Sequence, residues 1–421
     1  MVEDSPTLAI NQQVQSMWAR GKRVYHMGFG ESRFPVHPRL RSALAANVHR
    51  QSYLPVAGLP ALREAIASQV AAELGLSIVP EQVVVASGSK PLLFALQLAL
   101  DAELFIPTPT WVSYAPQARL LGRPVTAIPP GPTSDFEIDV NAVEQAFAAS
   151  KRPQKLLVLN SPNNPTGRML SASTVRALSR VCQDYGAWII SDEIYAGVAH
   201  GNRPHTSPAC YYPDGTFIFG GLSKELSLGG WRMGHCIFPE AQRNAQQAVT
   251  AIASEVWSSA SAPIQYAALT AYSGEPDVLA YRELCARLHA ARTRWIWHGL
   301  VEAGIRCPEP HGGFYLMPDF NAFRQALSAE QVYSSADLSL YLLNRYQISS
   351  LPGSAFGLSA EVLAVRLATS FLDLEDDVAG QAWIAAWESQ LVIGPFGAEQ
   401  APQMTAVLAQ FRRFTMDHEL Q

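Results

Sequence analysis

Lys155-Leu-Leu-Val-Leu159, Asn160-Ser-Pro-Asn-Asn-Pro-Thr-Gly167, Ser171 to Tyr185 and Ala187-Trp-Ile-Ile-Ser191 follow one another along the chain. They read as strand, turn, helix and strand. The two strand runs are apolar without polar alternation, the pattern of strands buried on both faces. Ser171 stands where a helix N-cap belongs. The same alternation continues outward. Upstream, Gln82-Val-Val-Val-Ala86 reads as a strand, Pro91 to Leu100 as a helical apolar run, and Glu103-Leu-Phe-Ile106 as a strand ended by Pro107. Downstream lies the strand Phe217-Ile-Phe219. Strands alternating with helices predict an α/β fold with a mostly parallel central sheet.

Past about residue 275 the character changes. Tyr281 to Val301 reads as one long helix containing Arg282, Arg287, Arg292 and Arg294. A strand-like Gly313-Phe-Tyr-Leu-Met317, a helix near 335–346 and a strand Val365-Arg-Leu-Ala368 follow. This predicts a smaller α+β domain. The first 45 residues hold one helix candidate, Thr7 to Arg20, expected to pack on that domain or on a partner subunit. The predicted division is 1–45, an arm and part of the small domain; 46–275, the large domain; and 276–421, the small domain. A chain of 421 residues exceeds one ordinary core, which agrees with two domains.

Composition removes several classes of function. The chain is 48% hydrophobic and 16% charged, a globular balance. A net charge of −5 gives no basic stripe for nucleic acid. No apolar run reaches the 18 or so residues of a membrane span, and the acidic start, Met-Val-Glu-Asp-Ser-Pro, has no signal-peptide core. Five scattered cysteines without a C-x-x-C pair suit reduced thiols, so a cytoplasmic location is expected.

The chemistry-bearing residues fall at strand ends, where open α/β sheets bind ligands. Asn160 to Gly167 follows one strand; as a turn it is ordinary, but Asn164 offers an amide there. Ser191-Asp192-Glu193-Ile-Tyr195 ends the next; its plainer reading is a helix cap with a first-turn acid, its functional reading a buried carboxylate facing a cation. Ser87-Gly88-Ser89-Lys90 opens a helix whose free N–H groups suit phosphate, or is simply a capped loop. Ser223-Lys224-Glu225 follows the apolar run Thr216 to Gly220, with Arg232 eight residues on. A partly desolvated lysine forms Schiff bases with carbonyls. Other motifs fail. Ser87-x-x-Lys90 lacks the companion S-D-N and K-T-G of penicillin-recognising enzymes, and Gly28-Phe-Gly30 lacks the third glycine of a dinucleotide fingerprint. His200 and His205 lack helical zinc spacing and read as ordinary loop residues, so no metal is expected.

Taken together, Asn163-Asn-Pro-Thr-Gly167, Ser191-Asp-Glu-Ile-Tyr195 and Ser223-Lys224 with Arg232 resemble the class I/II aminotransferases, fold-type I enzymes of pyridoxal 5′-phosphate. Tyr53 to Arg63, Pro352-Gly-Ser-Ala-Phe-Gly357 and Val365-Arg-Leu-Ala-Thr369 extend the resemblance over roughly residues 25 to 375. It implies a role for each matching residue. Lys224 forms the internal aldimine and shuttles the proton. Asp192 holds the pyridine nitrogen protonated. Asn164 and Tyr195 bond the phenolic oxygen. Gly88, Ser89, Lys90, Ser223 and Arg232 bind the phosphate, Trp111 stacks on the ring, and Arg366 with Gly30 and Asn164 binds the substrate. Tyr53 reaches the phosphate of a neighbouring subunit, which implies a homodimer with shared sites. Two departures stand out. The segment that usually reads Gly-x-Pro is Gly30-Glu-Ser-Arg-Phe-Pro35, placing Glu31 and Arg33 at the substrate mouth, and Lys90 replaces a residue more often neutral.

The implied reaction is transamination between an amino acid and a 2-oxo acid. A lyase or carbon–carbon bond-forming enzyme of specialised metabolism is the alternative on the same scaffold, and a non-catalytic cofactor-binding sensor ranks third. No lysine or arginine lies between Asn244 and Tyr281, where relatives acting on acidic side chains often carry an arginine. A neutral or cationic substrate side chain is therefore expected.

Overall fold

The structure is a computed structural model that describes residues 6–131, 135–201, 203–388 and 399–418. The acidic opening, residues 1–5, lies outside the described residues. The strands are β1 (Tyr25–His26), β2 (Val83–Ala86), β3 (Glu103–Pro107), β4 (Val125–Ile128), β5 (Lys155–Asn160), β6 (Trp188–Asp192) and β7 (Thr216–Gly221). Then come β8 (Gly234–Ile237), β9 (Tyr315–Leu316), β10 (Ile348–Ser349), β11 (Leu351–Pro352) and β12 (Val365–Ala368).

Seven of them form the central sheet in the order β2-β8-β7-β6-β5-β3-β4. Pairing is parallel across β4, β3, β5, β6 and β7. Only β8 runs against its neighbours β2 and β7. Alternate side chains of β5 reach opposite faces: Leu156 and Val158 join one buried cluster, Leu157 and Leu159 another. Both faces are thus covered, which is why β5 shows no polar alternation. Ser171 caps the helix Ala172–Asp184 by accepting from the Thr174 N–H, as its position in the sequence predicts.

A separate core draws Tyr25, Met27 and Phe34 together with residues between Leu284 and Phe414. Short β1 pairs with β10 in parallel, and β12 lies between β11 and β9. The first helix, Pro6–Ala19, packs Val14 against Val24 and Leu343. The helix Pro276–Glu302 is longer at both ends than the run read from sequence. Because β2, β3, β5, β6 and β7 share one direction, their carboxyl ends open on one crevice. Among the described residues no helix is long and apolar enough to cross a membrane.

Candidate active site

A cavity of about 310 Å³ lies at those strand ends. It brings together Gly30, Ser89, Lys90, Trp111, Asn164, Asp192, Tyr195, Ser223, Lys224, Arg232 and Arg366, drawn from across the chain. Gly88 stands just behind, at the N-terminus of the helix Ser89–Ala99 with a φ of 93°. A Cβ there would come within 2.4 Å of the Arg232 guanidinium, so glycine is what lets the arginine close on the helix end. Tyr53 is not in this cavity; it is 90% exposed on the protomer.

Lys224 Nζ donates to the Gly30 carbonyl at 3.0 Å. Burial lowers its pKa to about 8; Glu31 works against that fall, and Arg366 and Arg232 add to it. An amine held there loses its proton far more readily than a solvated lysine, with the charged form still the major one at pH 7. Asp192 is 4% exposed. Burial raises its carboxyl to about 6, opposed by the Tyr114 hydroxyl and the Ile194 N–H. Tyr114 donates to Asp192 Oδ2 at 2.5 Å and Ile194 N–H to Oδ1 at 3.2 Å. Among the described residues no arginine, lysine or histidine forms an ion pair with Asp192.

Arg366 is 1% exposed. It donates to Asn164 Oδ1 at 3.3 Å and to the Gly28 carbonyl, while its Nε has no hydrogen-bond partner. Tyr315 and Phe356 rings flank it at 4.8 and 5.2 Å. Burial pulls its pKa down, and only the Tyr315 and Tyr195 hydroxyls offset this. A buried guanidinium without a carboxylate is an anion site in waiting. Tyr195 shares a 2.8 Å hydrogen bond with Tyr315, and burial raises its phenol. Lys90 Nζ stands 5.0 Å over the Trp111 ring, its pKa lowered by burial and by Arg232.

Sequence reading passed over Tyr114, Asn160, Tyr315, Phe29 and the first-helix residues Thr7 and Leu8, all of which line the cavity. Tyr114 stands three residues after Trp111, in Pro109-Thr-Trp-Val-Ser-Tyr114. That spacing on one turn was the available signal. His205 is no ordinary loop residue: its Nε2 pairs with Glu193 Oε2 at 2.9 Å on a different cavity. Among the described residues no cluster suits a metal ion.

The profile of the family described as aminotransferase class I and II matches residues 22–372. The chain belongs to the class I and II aminotransferase family. It is similar to the aspartate aminotransferase of Geobacillus stearothermophilus, 35% identical over 383 residues, covering 89% of this chain and 94% of that one. It is also similar to a probable aspartate/prephenate aminotransferase of Aquifex aeolicus, 30% identical over 364 residues, with 85% and 90% covered. In three dimensions it matches the Thermus thermophilus aspartate aminotransferase solved with maleate, at a TM-score of 0.80 and 27% identity over 92% of this chain and 97% of that one. This aminotransferase is therefore a transferase with the fold-type I architecture, as the resemblance implies. The named relatives do not favour the lyase alternative.

Proposed function

We propose that this aminotransferase binds pyridoxal 5′-phosphate in the cavity around Lys224 and moves the amino group of a dicarboxylic amino acid to a 2-oxo acid. The carrying observation is a pair of buried charged groups in the cavity of Lys224, Asp192 and Arg366, neither of which forms an ion pair among the described residues. A protonated pyridine nitrogen and an α-carboxylate are the partners such groups lack. The residues present fit the cofactor. Ser89, Ser223, Arg232 and the uncapped start of the helix Ser89–Ala99 suit its phosphate, with Lys90 beside them, and Trp111 its ring face. Asn164 and Tyr195 suit its phenolic oxygen.

When bound, the cofactor supplies a reactive carbonyl and an electron-withdrawing ring. The chain supplies the rest. Arg366 grips the α-carboxylate with its fork of N–H groups. Lys224 Nζ, with its lowered pKa, takes the α-proton and returns it elsewhere. Asp192, kept ionised in part by Tyr114, holds the ring nitrogen charged. Phe29, Thr7 and Leu8 line the same cavity.

The expectation of a neutral or cationic side chain rested on residues 244–281. Lys90, in the same cavity and without an acidic partner among the described residues, weighs the other way. Glu31 at that mouth favours an amine, yet it is engaged by Arg33 at 3.4 Å. The relatives named for aspartate, and maleate with its two carboxylates, support the acidic choice. We further propose a homodimer in the cytoplasm, in which the exposed Tyr53 completes the partner's site, and the division 1–45, 46–275 and 276–421 described above. The test is mass spectrometry of products from the cofactor-loaded protein incubated with a panel of amino acids. Aspartate or glutamate is expected to give the fastest 2-oxo acid formation, and Lys90→Ala to slow those two selectively. No oxo acid from any amino acid sinks the transaminase reading. A best donor with a neutral or basic side chain sinks only the acidic choice.

A further inference from the structure

The strap Gly28–Pro35, between β1 and the next helix, departs from the family's usual Gly-x-Pro at Ser32. That serine is 2% exposed, and its hydroxyl does two things at once. It lies 2.6 Å from Ser227 Oγ and 2.7 Å from His289 Nε2. A proline can make neither bond. Ser227 follows Lys224 by three residues and holds a φ of 57°, a left-handed conformation costly for any residue with a Cβ. His289 belongs to the helix Pro276–Glu302 and is wedged between the Phe34 and Phe314 rings, at 4.7 and 4.8 Å. Burial keeps its imidazole neutral. Its Nδ1 is buried with no hydrogen-bond partner among the described residues. A lone pair is cheaper to leave unpaired than an N–H, so the proton belongs on Nε2, donated to Ser32. Ser32 also shares a hydrogen bond with Ser227, in which either hydroxyl can donate.

Three separate segments therefore meet at one hydroxyl. A second tie lies beside it, from Lys224 Nζ to the Gly30 carbonyl. Arg33 anchors the far side of the strap, donating to the carbonyls of Leu374 and Glu375 at 2.9 and 2.8 Å. We propose that Ser32 is a positioning residue that bolts the entrance strap to the lysine loop and to the helix Pro276–Glu302, fixing Gly30 and Glu31 against the Lys224 amine. It acts through Ser227 and touches no substrate. The proposal rests on the transaminase reading only for its catalytic consequence.

The test uses Ser32→Ala, Ser227→Ala and the double variant. In the unloaded protein, hydrogen–deuterium exchange is expected to quicken about tenfold in residues 28–35 and 223–228 together, from the loss of one or two buried hydrogen bonds. In the loaded protein kcat is expected to fall about tenfold with KM within about twofold, because the amine is displaced while the carboxylate clamp stays. Ser32→Ala is expected to match the double variant, since it already removes the bond to Ser227, whereas Ser227→Ala leaves the His289 bond in place and is expected to show the smaller effect. Additive losses overturn the proposal. So does Ser32→Ala exchange that quickens in 28–35 but not in 223–228, or a lowered melting temperature with unchanged kcat. A wild type that never transaminates sinks the earlier reading and leaves the exchange result standing.

Discussion

Asp192 and Glu193 are adjacent at the end of β6, yet they face different cavities and carry their charges on opposite terms. Asp192 turns to the Lys224 cavity, where burial pushes its carboxyl up to about 6 and, among the described residues, no cation forms an ion pair with it. Glu193 turns to a second cavity shared with His205, Glu225 and His235. There His205, Ser207 at 2.5 Å and Ser191 at 2.7 Å all serve it, and they hold its carboxyl below the usual range against burial. The same residue class, one position apart, is satisfied on one side and left wanting on the other. That contrast supports the proposal that Asp192 serves a ligand.

The largest expected break falls on the wanting side. Lys224→Ala removes the proposed Schiff-base amine and proton carrier, and transamination is expected to fall by at least about 10⁴-fold. The loaded variant is also expected to lose the visible absorbance of a lysine-bound cofactor. A variant that keeps turning over at a tenth of the wild-type rate sends the search for the nucleophile elsewhere.

Asp192→Asn sharpens the contrast by separating activity from stability. Activity is expected to drop about 10³-fold, the scale for a preorganised charge. The unloaded protein is expected to gain stability at pH 8. The folded-state pKa lies above the ordinary carboxylate value, so this group's stabilising contribution is full below the unfolded value. It is lost as pH rises through about 6. At pH 8 the ionised carboxylate then costs roughly 3 kcal/mol that asparagine avoids. Melting curves at pH 5 and pH 8 check this; a variant less stable than wild type at pH 8 contradicts a strained carboxylate.

Glu193→Gln works on the satisfied side and is expected to do the reverse. Glu193 is held low, so its contribution is present above its unfolded value and lost as pH falls through the folded one. His205 is held high by Glu193, so its contribution is present below its unfolded value and lost as pH rises through the folded one. The pair is whole between those limits. The glutamine variant is expected to lose about 3 kcal/mol near neutral pH, with flatter stability on both sides. Its kcat is expected to stay within about threefold. Chemical denaturation across pH measures the first, and a collapse of kcat in the folded variant removes the distinction between the two acids.

Five strands of the central sheet were legible because they are apolar on both faces and closed by turn residues, as Leu156–Leu159 and the Asn160 to Gly167 turn show, whereas the half-exposed β4 carries no such signal. Lys224, Asp192, Asn164 and Ser89 were legible because strand-end position is a property of local sequence. What was hidden is what folding alone brings together. Tyr114 meets Asp192 across 78 positions, and Ser32 meets His289 across 257. No period or spacing encodes such a pair. β8 was hidden differently: its antiparallel run begins where the glycine-rich Gly229 to Gly234 loop ends, so glycine and turn residues mask the start of the strand.

Tyr114→Phe carries the smallest expected effect and probes the comparison most finely. The hydroxyl is the strongest single influence holding the Asp192 carboxyl down against burial. Without it, Asp192 resembles its satisfied neighbour even less, and its pKa rises further. The acid side of the activity profile is then expected to move to higher pH. At pH 6 to 7 the loss in kcat/KM is expected to be about tenfold, the scale of one hydrogen bond to a charged group. By pH 9 the variant is expected to recover toward wild type, because the carboxylate ionises regardless. The effect is bounded because the Ile194 N–H still donates to Oδ1. It is detectable because phenylalanine keeps the ring that packs edge-on against Trp111 at 5.2 Å, so geometry changes little. Profiles of pH against rate for the two proteins decide it. Curves that differ by a constant factor at every pH assign Tyr114 a packing role and leave the charge of Asp192 to burial alone.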